Sequence, residues 1–398
     1  MDLTRPLLLD GATGTELARR GAPGGVCTER WVLEHPEVLV ALQREYVAAG
    51  SDILAAPTFG ANPLSLSRHG IAAQEVEDYN RRLLALSRRA AGDRAMVAAD
   101  LSPAGAFLAP YGEMTFEEMA ENYASQARAL TDADLFLLET FTTLPELRAA
   151  MLAVRAVSDK PIVVSVTSDR TGHLLSGTEV PAALLTAECL GAAAVGLNCS
   201  EGPELVLEQL TRYAPYAKVP LLCKPNAGLP RMENGAPVYP CTPEELASYV
   251  PRFAALGARL FGGCCGSTPA HIAALRAAVD ALEPSPLPER EENALCTDER
   301  TLRPVTSDDL PARSTPGTEL EDALEELDPG ECLWVSIDGA EDLEVFRENQ
   351  YAIRGALCLS AASPELLESA LRSFQGRACC RAGCVGEDVA RAYGALIL

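Results

Sequence analysis

The stretch "ARLFGGCCGSTPAHI", Ala258–Ile272, joins a short apolar run to a cysteine pair set among glycines, and then to a helix start. Neighbouring side chains on an extended strand point to opposite faces. Cys264 and Cys265 should therefore diverge unless the backbone turns, and Gly262, Gly263 and Gly266 permit such a turn. The same order of apolar run and then helical segment occurs seven times before it. The earlier runs are Pro6–Asp10, Ser51–Phe59, Met96–Pro103, Ala133–Phe141, Pro161–Ser168, Ala192–Ser200 and Val219–Asn226. Most are continuously apolar rather than alternating, as parallel strands covered on both faces should be. Ala258–Gly266 is the eighth. Eight β–α alternations in about 280 residues fit a (β/α)8 TIM barrel better than an open doubly wound sheet. No G-x-G-x-x-G follows the first run, which weakens a dinucleotide-binding reading.

The intervening segments carry helix signals. Thr115 and Glu118 form a capping box ahead of Phe116, Met119, Ala120, Tyr123 and Ala127, and Thr242, Pro243 and Glu245 open another helix. Pro251 should kink that second helix or divide it in two. Beyond residue 283 the texture changes. Residues 284–317 are proline-rich and charged and read as a linker. Residues 318–398 read as a small α/β domain, with "ECLWVSI" and "GALCLSA" as strands and "SPELLESALRSF" as a capped helix.

The chain of 398 residues has a formal net charge of −23. From Pro284 onward, 10 Arg stand against 23 Asp and Glu, a net of −13, so the appendage holds over half of it. That sign excludes phosphate-backbone binding as an expectation, and with it nucleic acid. No run of about 18 uncharged apolar residues suggests a membrane span. The start lacks a signal-peptide pattern, so the expected location is cytoplasmic. Thirteen cysteines, an odd number in a reducing compartment, read as core residues or ligands rather than disulfides.

Chemistry in such a barrel sits at the C-terminal strand ends. Those ends offer Asp10, Thr58, Glu139, Cys199, Asn226, Cys264 and Cys265. The sixth and eighth strands lie two apart around a barrel, so their three thiols can converge on its mouth. Three thiolates with one open position describe a catalytic zinc site, and sulfur ligands favour zinc over magnesium or calcium. An isolated Cys-Cys pair is more often two small buried residues. "GRACCRAGC" supplies the contrast. There Cys379 and Cys380 lack glycine flanks and a third cysteine at a matching strand end, so they read as structural together with Cys384. His271, in the first turn of a helix, reads as a cap or a surface residue. Lys224 either lies along the core edge or faces the mouth.

"DGATGTELARRG", "LLETF", "GLNCSEGPE", "PNAGLP" and "GGCCGSTPAHI", in this order, resemble the homocysteine-binding barrel of the zinc-dependent homocysteine S-methyltransferase family. The resemblance runs from about Pro6 to Leu282. Within that family, "PNAGLP" and "GGCCGSTP" point towards the homocysteine module of cobalamin-dependent methionine synthases.

The resemblance implies that Cys199, Cys264 and Cys265 bind Zn2+ and that homocysteine sulfur becomes the fourth ligand, a thiolate that attacks a methyl group. It implies Asp10 and Glu139 at the substrate ammonium, and the backbone amides of Gly11, Ala12 and Thr13 at its carboxylate. Asn226 is implied at or near the fourth zinc position when homocysteine is absent. The expected donor is methylcobalamin on a separate corrinoid protein or methyltransferase subunit. S-methylmethionine or betaine is the alternative, and a non-catalytic homocysteine or zinc sensor is the remaining class. Residues 318–398 faintly resemble the first half of a pterin-binding module, an incomplete barrel. Ser360 stands where that family carries Asp, and Cys380-Arg381 where it carries Asn-Ser, which argues against folate binding.

Overall fold

A computed structural model describes residues 2–233, 236–283, 286–289, 294–328 and 330–398. Eight parallel strands form the barrel: β1 (Leu7–Leu8), β2 (Ile53–Ala55), β3 (Met96–Leu101), β4 (Leu135–Phe141), β5 (Ile162–Val166), β6 (Ala194–Cys199), β7 (Leu221–Pro225) and β8 (Ala258–Phe261). They pair in the order β1-β8-β7-β6-β5-β4-β3-β2. A parallel bridge between Leu9 and Ile53 and the 2.7 Å bond from Asp52 N to Leu8 O join the two ends of that order. The fold is the expected TIM barrel.

The period of two along each strand explains both the filling and the site. Leu7, Leu9, Ile53, Ala55, Ala98, Leu135, Leu137, Val163, Ala194, Leu222 and Leu260 form one buried cluster, the plug inside the barrel. The alternate residues, such as Leu54, Val97, Leu138, Val164, Val195 and Phe261, belong to the larger cluster under the helices. Continuing the inward parity by one step, or two on β6, reaches Asp100, Glu139, Ser165, Asn198, Lys224 and Gly262. Polar residues thus lie directly above an apolar floor, at the C-terminal ends.

The helices follow their signals. Thr115 and Glu118 exchange capping bonds at the head of Phe116–Ala129. The segment with Pro251 is divided into Pro243–Ala247 and Val250–Ala255, with the proline in the first turn of the second helix, where its missing N–H costs nothing.

Residues 284–285 and 290–293 of the expected linker lie outside the described residues. Residues 294–317 are not featureless: Leu295–Thr297 and Leu302–Pro304 form an antiparallel hairpin. Its few apolar side chains have a place to go. Beyond it, Thr315–Pro316, Leu333–Ile337, Leu357–Ala361, Cys379–Cys380 and Leu396–Ile397 make a five-stranded parallel sheet in chain order. One face packs on helices through Val335, Ile337, Leu359, Phe346 and Phe374, and the hairpin covers the other, setting Cys296 and Val305 against Cys358 and Cys379. Cys379 and Cys380 therefore point to opposite faces. Arg148 fastens this part to the barrel, donating to Leu371 O at 2.8 Å and Gly376 O at 3.1 Å. No described helix is long and apolar enough to cross a membrane.

Candidate metal and substrate site at the barrel mouth

The three cysteines expected at the strand ends come together. Cys199 Sγ lies 3.2 Å from Cys264 Sγ and 3.7 Å from Cys265 Sγ. Among the described residues they are the one group of three or more such ligands with atoms all within 4.8 Å of one another. A disulfide would need about 2.05 Å. Thiolates around a tetrahedral zinc, each about 2.3 Å from the metal, sit roughly 3.8 Å apart. The thiol set fits a metal ion in spacing and in softness.

Strand parity alone would not do this. Val195 and Leu197 face the helices, so Cys199 should too. Cys199 (φ 52°) and Ser200 (φ 50°) instead take left-handed backbone, which turns the thiol towards the mouth. Thr140 (φ 66°), beside Glu139, is the third non-glycine residue with positive φ among those described. Such conformations cost about 1–3 kcal/mol each and persist where the surroundings over-determine them. Here Asn198 supplies part of that constraint. Its Oδ1 accepts from Thr140 N at 2.9 Å and from Ser165 Oγ at 2.8 Å, and its Nδ2 donates to Thr140 Oγ1 at 2.7 Å. The same Nδ2 lies 3.6 Å from Cys264 Sγ. Sequence reasoning passed over Asn198, although it is the inward residue next to Cys199 in "GLNC".

At the other end of the cluster, Cys264 N donates to Pro225 O at 2.8 Å, holding the β8 exit against β7. The chain turns at Gly266 (φ 80°), where a Cβ would lie 2.1 Å from the Tyr239 ring. Tyr239 hydrogen-bonds the Cys265 thiol, and the neighbouring Cys199 and Cys264 thiols pull Cys265 down to about 3. The hydrogen bonds to Cys264 and Cys265 push the Cys199 thiol up. Tyr239 lies past "PNAGLP", at a distance in sequence that gave no signal.

A cavity of about 260 Å3 opens beside the thiols, lined by Gly11, Ala12, Thr13, Glu139, the three cysteines, and also by Asp100 and Lys224. Lys224 faces the mouth: its Nζ meets Glu139 Oε2 at 2.6 Å, both groups being buried. Asp100, which the sequence reading missed, is 4% exposed, and its Oδ1 has no hydrogen-bond partner. Burial pushes its carboxyl well above the usual range. The signal was available as parity, since Asp100 follows Ala98 on the inward face.

Asp10, expected at the substrate ammonium, is fully buried just past β1. Its Oδ2 accepts from Ala55 N at 3.0 Å, tying β1 to β2, and it is not among the cavity-lining residues. Its Oδ1 has no partner, and burial pushes the carboxyl up to about 7. Of the three amides expected to receive a carboxylate, that of Ala12 is already engaged by Ser267 Oγ at 3.0 Å. Asn226 lies outside the cavity lining, with its N–H on Glu201 O at 3.0 Å and a buried Oδ1 lacking a partner. Thr58 is structural: its hydroxyl bonds Asp100 N and O. His271 is a buried cap, with Nδ1 against Thr268 and Nε2 at 3.0 Å from Cys241 O.

The sequence model for homocysteine S-methyltransferase matches residues 7–279. The chain belongs to the homocysteine S-methyltransferase family. It is 34% identical to methionine synthase of Mycobacterium leprae over 311 residues, which are 73% of this chain and 26% of that protein. It is 35% identical to methionine synthase of Mycobacterium tuberculosis over 297 residues, 69% and 25% respectively. The matched segment thus spans about a quarter of the length of these curated relatives. Among solved structures, the metallated form of the homocysteine methyltransferase MmuM from Escherichia coli superposes with a TM-score of 0.59 at 28% identity. That match covers 68% of this chain and 96% of the MmuM chain.

Proposed function

We propose that this family member makes methionine from homocysteine, with Cys199, Cys264 and Cys265 holding a zinc ion. The observation that carries the reading is the thiol trio at 3.2 and 3.7 Å opening onto a cavity with buried carboxylates. When bound, the metal would lower the pKa of the homocysteine thiol so that a thiolate exists at neutral pH.

The remaining work falls to the protein. Asp100 Oδ1 and the Glu139 carboxylate offer acceptors to the substrate ammonium, and Asp10 supports them from behind by holding β1 to β2. Lys224 keeps Glu139 ionised and fixed, because a buried carboxylate needs a paired charge. Loop amides at Gly11 and Thr13 are left to meet the carboxylate. In the transfer the homocysteine S–H proton is released, sulfur bonds the methyl carbon, and the donor keeps the electron pair of the broken bond.

The donor we propose is methylcobalamin carried by a corrinoid partner, on the strength of "PNAGLP" and "GGCCGSTP". We further propose residues 318–398 as a separate α/β unit, a degenerate part of a pterin-binding module, packed on the barrel by Arg148 and the 294–317 hairpin segment. One assay tests the reaction: methylcobalamin, a methylated corrinoid protein, S-methylmethionine and betaine are offered in parallel with homocysteine. Methionine from the first two alone is the expected result. Methionine from S-methylmethionine or betaine would replace the donor, and none from any donor would leave a sensor.

A further inference from the structure

A second cavity, of about 350 Å3, lies beside the mouth, where the loops after β3, β4 and β5 meet the 298–301 turn. Thr143 lines it, three residues after Thr140, which lines the first cavity. Its polar lining is unusual. Glu299 is 3% exposed and both its carboxylate oxygens lack hydrogen-bond partners. Gln375, 5% exposed, has an unpartnered Oε1, and Arg300 has a buried, unpartnered Nε. Leaving buried polar atoms unpaired costs about 1–3 kcal/mol each, more for charged groups, so such atoms gathered in one cavity point to a missing partner.

Their positions are fixed rather than accidental. Thr178 Oγ1 donates to Glu299 O at 2.8 Å and Glu179 N to Arg300 O at 2.7 Å. Asp298 Oδ1 accepts from Arg300 N at 2.6 Å and Thr301 N at 2.7 Å, closing the turn. Gln375 N bonds Gln350 Oε1 at 3.3 Å. Burial pushes the Glu299 carboxyl up, opposed by the charges of Arg354 and Arg300. The rest of the lining is apolar: Phe107, Leu108, Tyr111, Pro145 and Leu175. Phe107, Tyr111 and Leu175 are exposed, the last at 71%, although large apolar side chains are usually covered.

Acceptors at Glu299 and Gln375, a donor at Arg300 and an apolar wall match one class of ligand. We propose that this cavity binds a free α-amino acid with an apolar side chain. Its ammonium meets the Glu299 carboxylate and Gln375 Oε1, its carboxylate meets Arg300, and its side chain covers Leu175 and the two aromatic rings. The site is separate from the thiol cluster and does not depend on the proposed reaction.

The probe is L-norleucine, which carries all three features and no sulfur, titrated calorimetrically into metal-stripped protein. Wild type should take up one equivalent. Glu299→Gln should weaken uptake at least tenfold, and so should Leu175→Asp, a change at an exposed rim position that cannot empty the core. Hexanoate, lacking the ammonium, should bind at least tenfold more weakly than norleucine. Asp100→Asn, which alters only the acceptor proposed at the mouth, should leave unchanged the portion of uptake that Glu299→Gln and Leu175→Asp weaken. No uptake by wild type, or equal uptake by wild type and the folded Glu299→Gln and Leu175→Asp proteins, would overturn the proposal. Loss in Asp100→Asn alone would place the amino acid at the mouth and overturn it equally.

Discussion

Replacing Asp10 by asparagine should flatten the pH dependence of stability. Burial raises this carboxyl from an ordinary 3.8 to about 7 in the folded protein. Between those values the folded state binds the proton more tightly than the unfolded state. The associated stability is therefore complete below about pH 4 and is lost as pH rises through about 7. Each unit corresponds to about 1.4 kcal/mol, so the wild type should lose about 3 kcal/mol between pH 4.5 and pH 8 through this group alone. Asparagine cannot ionise. Its side-chain oxygen can still accept from Ala55 N, and its amide falls where Oδ1 now lacks a partner, an offset of about 1–3 kcal/mol that does not vary with pH. Urea unfolding of both metal-stripped proteins at pH 4.5, 6 and 8 measures the difference. The Asp10→Asn protein should gain on the wild type by about 2–3 kcal/mol across that range, allowing for Glu139 and Asp100 relaxing once the charge is gone. Parallel curves at all three pH values would refute the argument that Asp10 is held in a site that disfavours its charge.

Purified protein should hold about one zinc, and a Cys264→Ala/Cys265→Ala double variant should hold none after chelation; retained metal by elemental analysis would mean another site. Glu139→Gln should destabilise by about 3–5 kcal/mol in urea melts by stranding buried Lys224, and adding Lys224→Met should recover much of it. Asp100→Asn should raise the homocysteine KM tenfold or more while zinc content stays constant, the two readouts separating substrate contact from site collapse. Truncation after Leu282 should leave a cooperatively unfolding, zinc-loading barrel, and a broad transition would show that the hairpin and tail complete its core.

The barrel and its floor are legible in the amino-acid order alone. Continuous apolar runs require cover on both faces, and eight of them with helices between leave few other arrangements. The same order brings Cys199, Cys264 and Cys265 to the ends of the sixth and eighth strands, at the rim of the mouth, without fixing which way the Cys199 thiol points. Which acids line the cavity beside the thiols follows partly from strand parity and partly from tertiary contacts. Asp10 and Asp100 are both strand residues in sequence, yet a hydrogen bond to Ala55 N takes Asp10 out of the lining while inward parity puts Asp100 into it. The thiol of Cys199 reaches the cluster through a left-handed backbone that no propensity favours for cysteine, held there by Asn198 and its bonds to Thr140 and Ser165. Within the expected linker, Leu295–Thr297 and Leu302–Pro304 pair as a hairpin. Its Cys296 and Val305 pack against Cys358 and Cys379 of the small sheet, contacts that no local pattern records. Local pattern records what a residue prefers; which groups end up unpaired in a common cavity depends on contacts hundreds of residues apart.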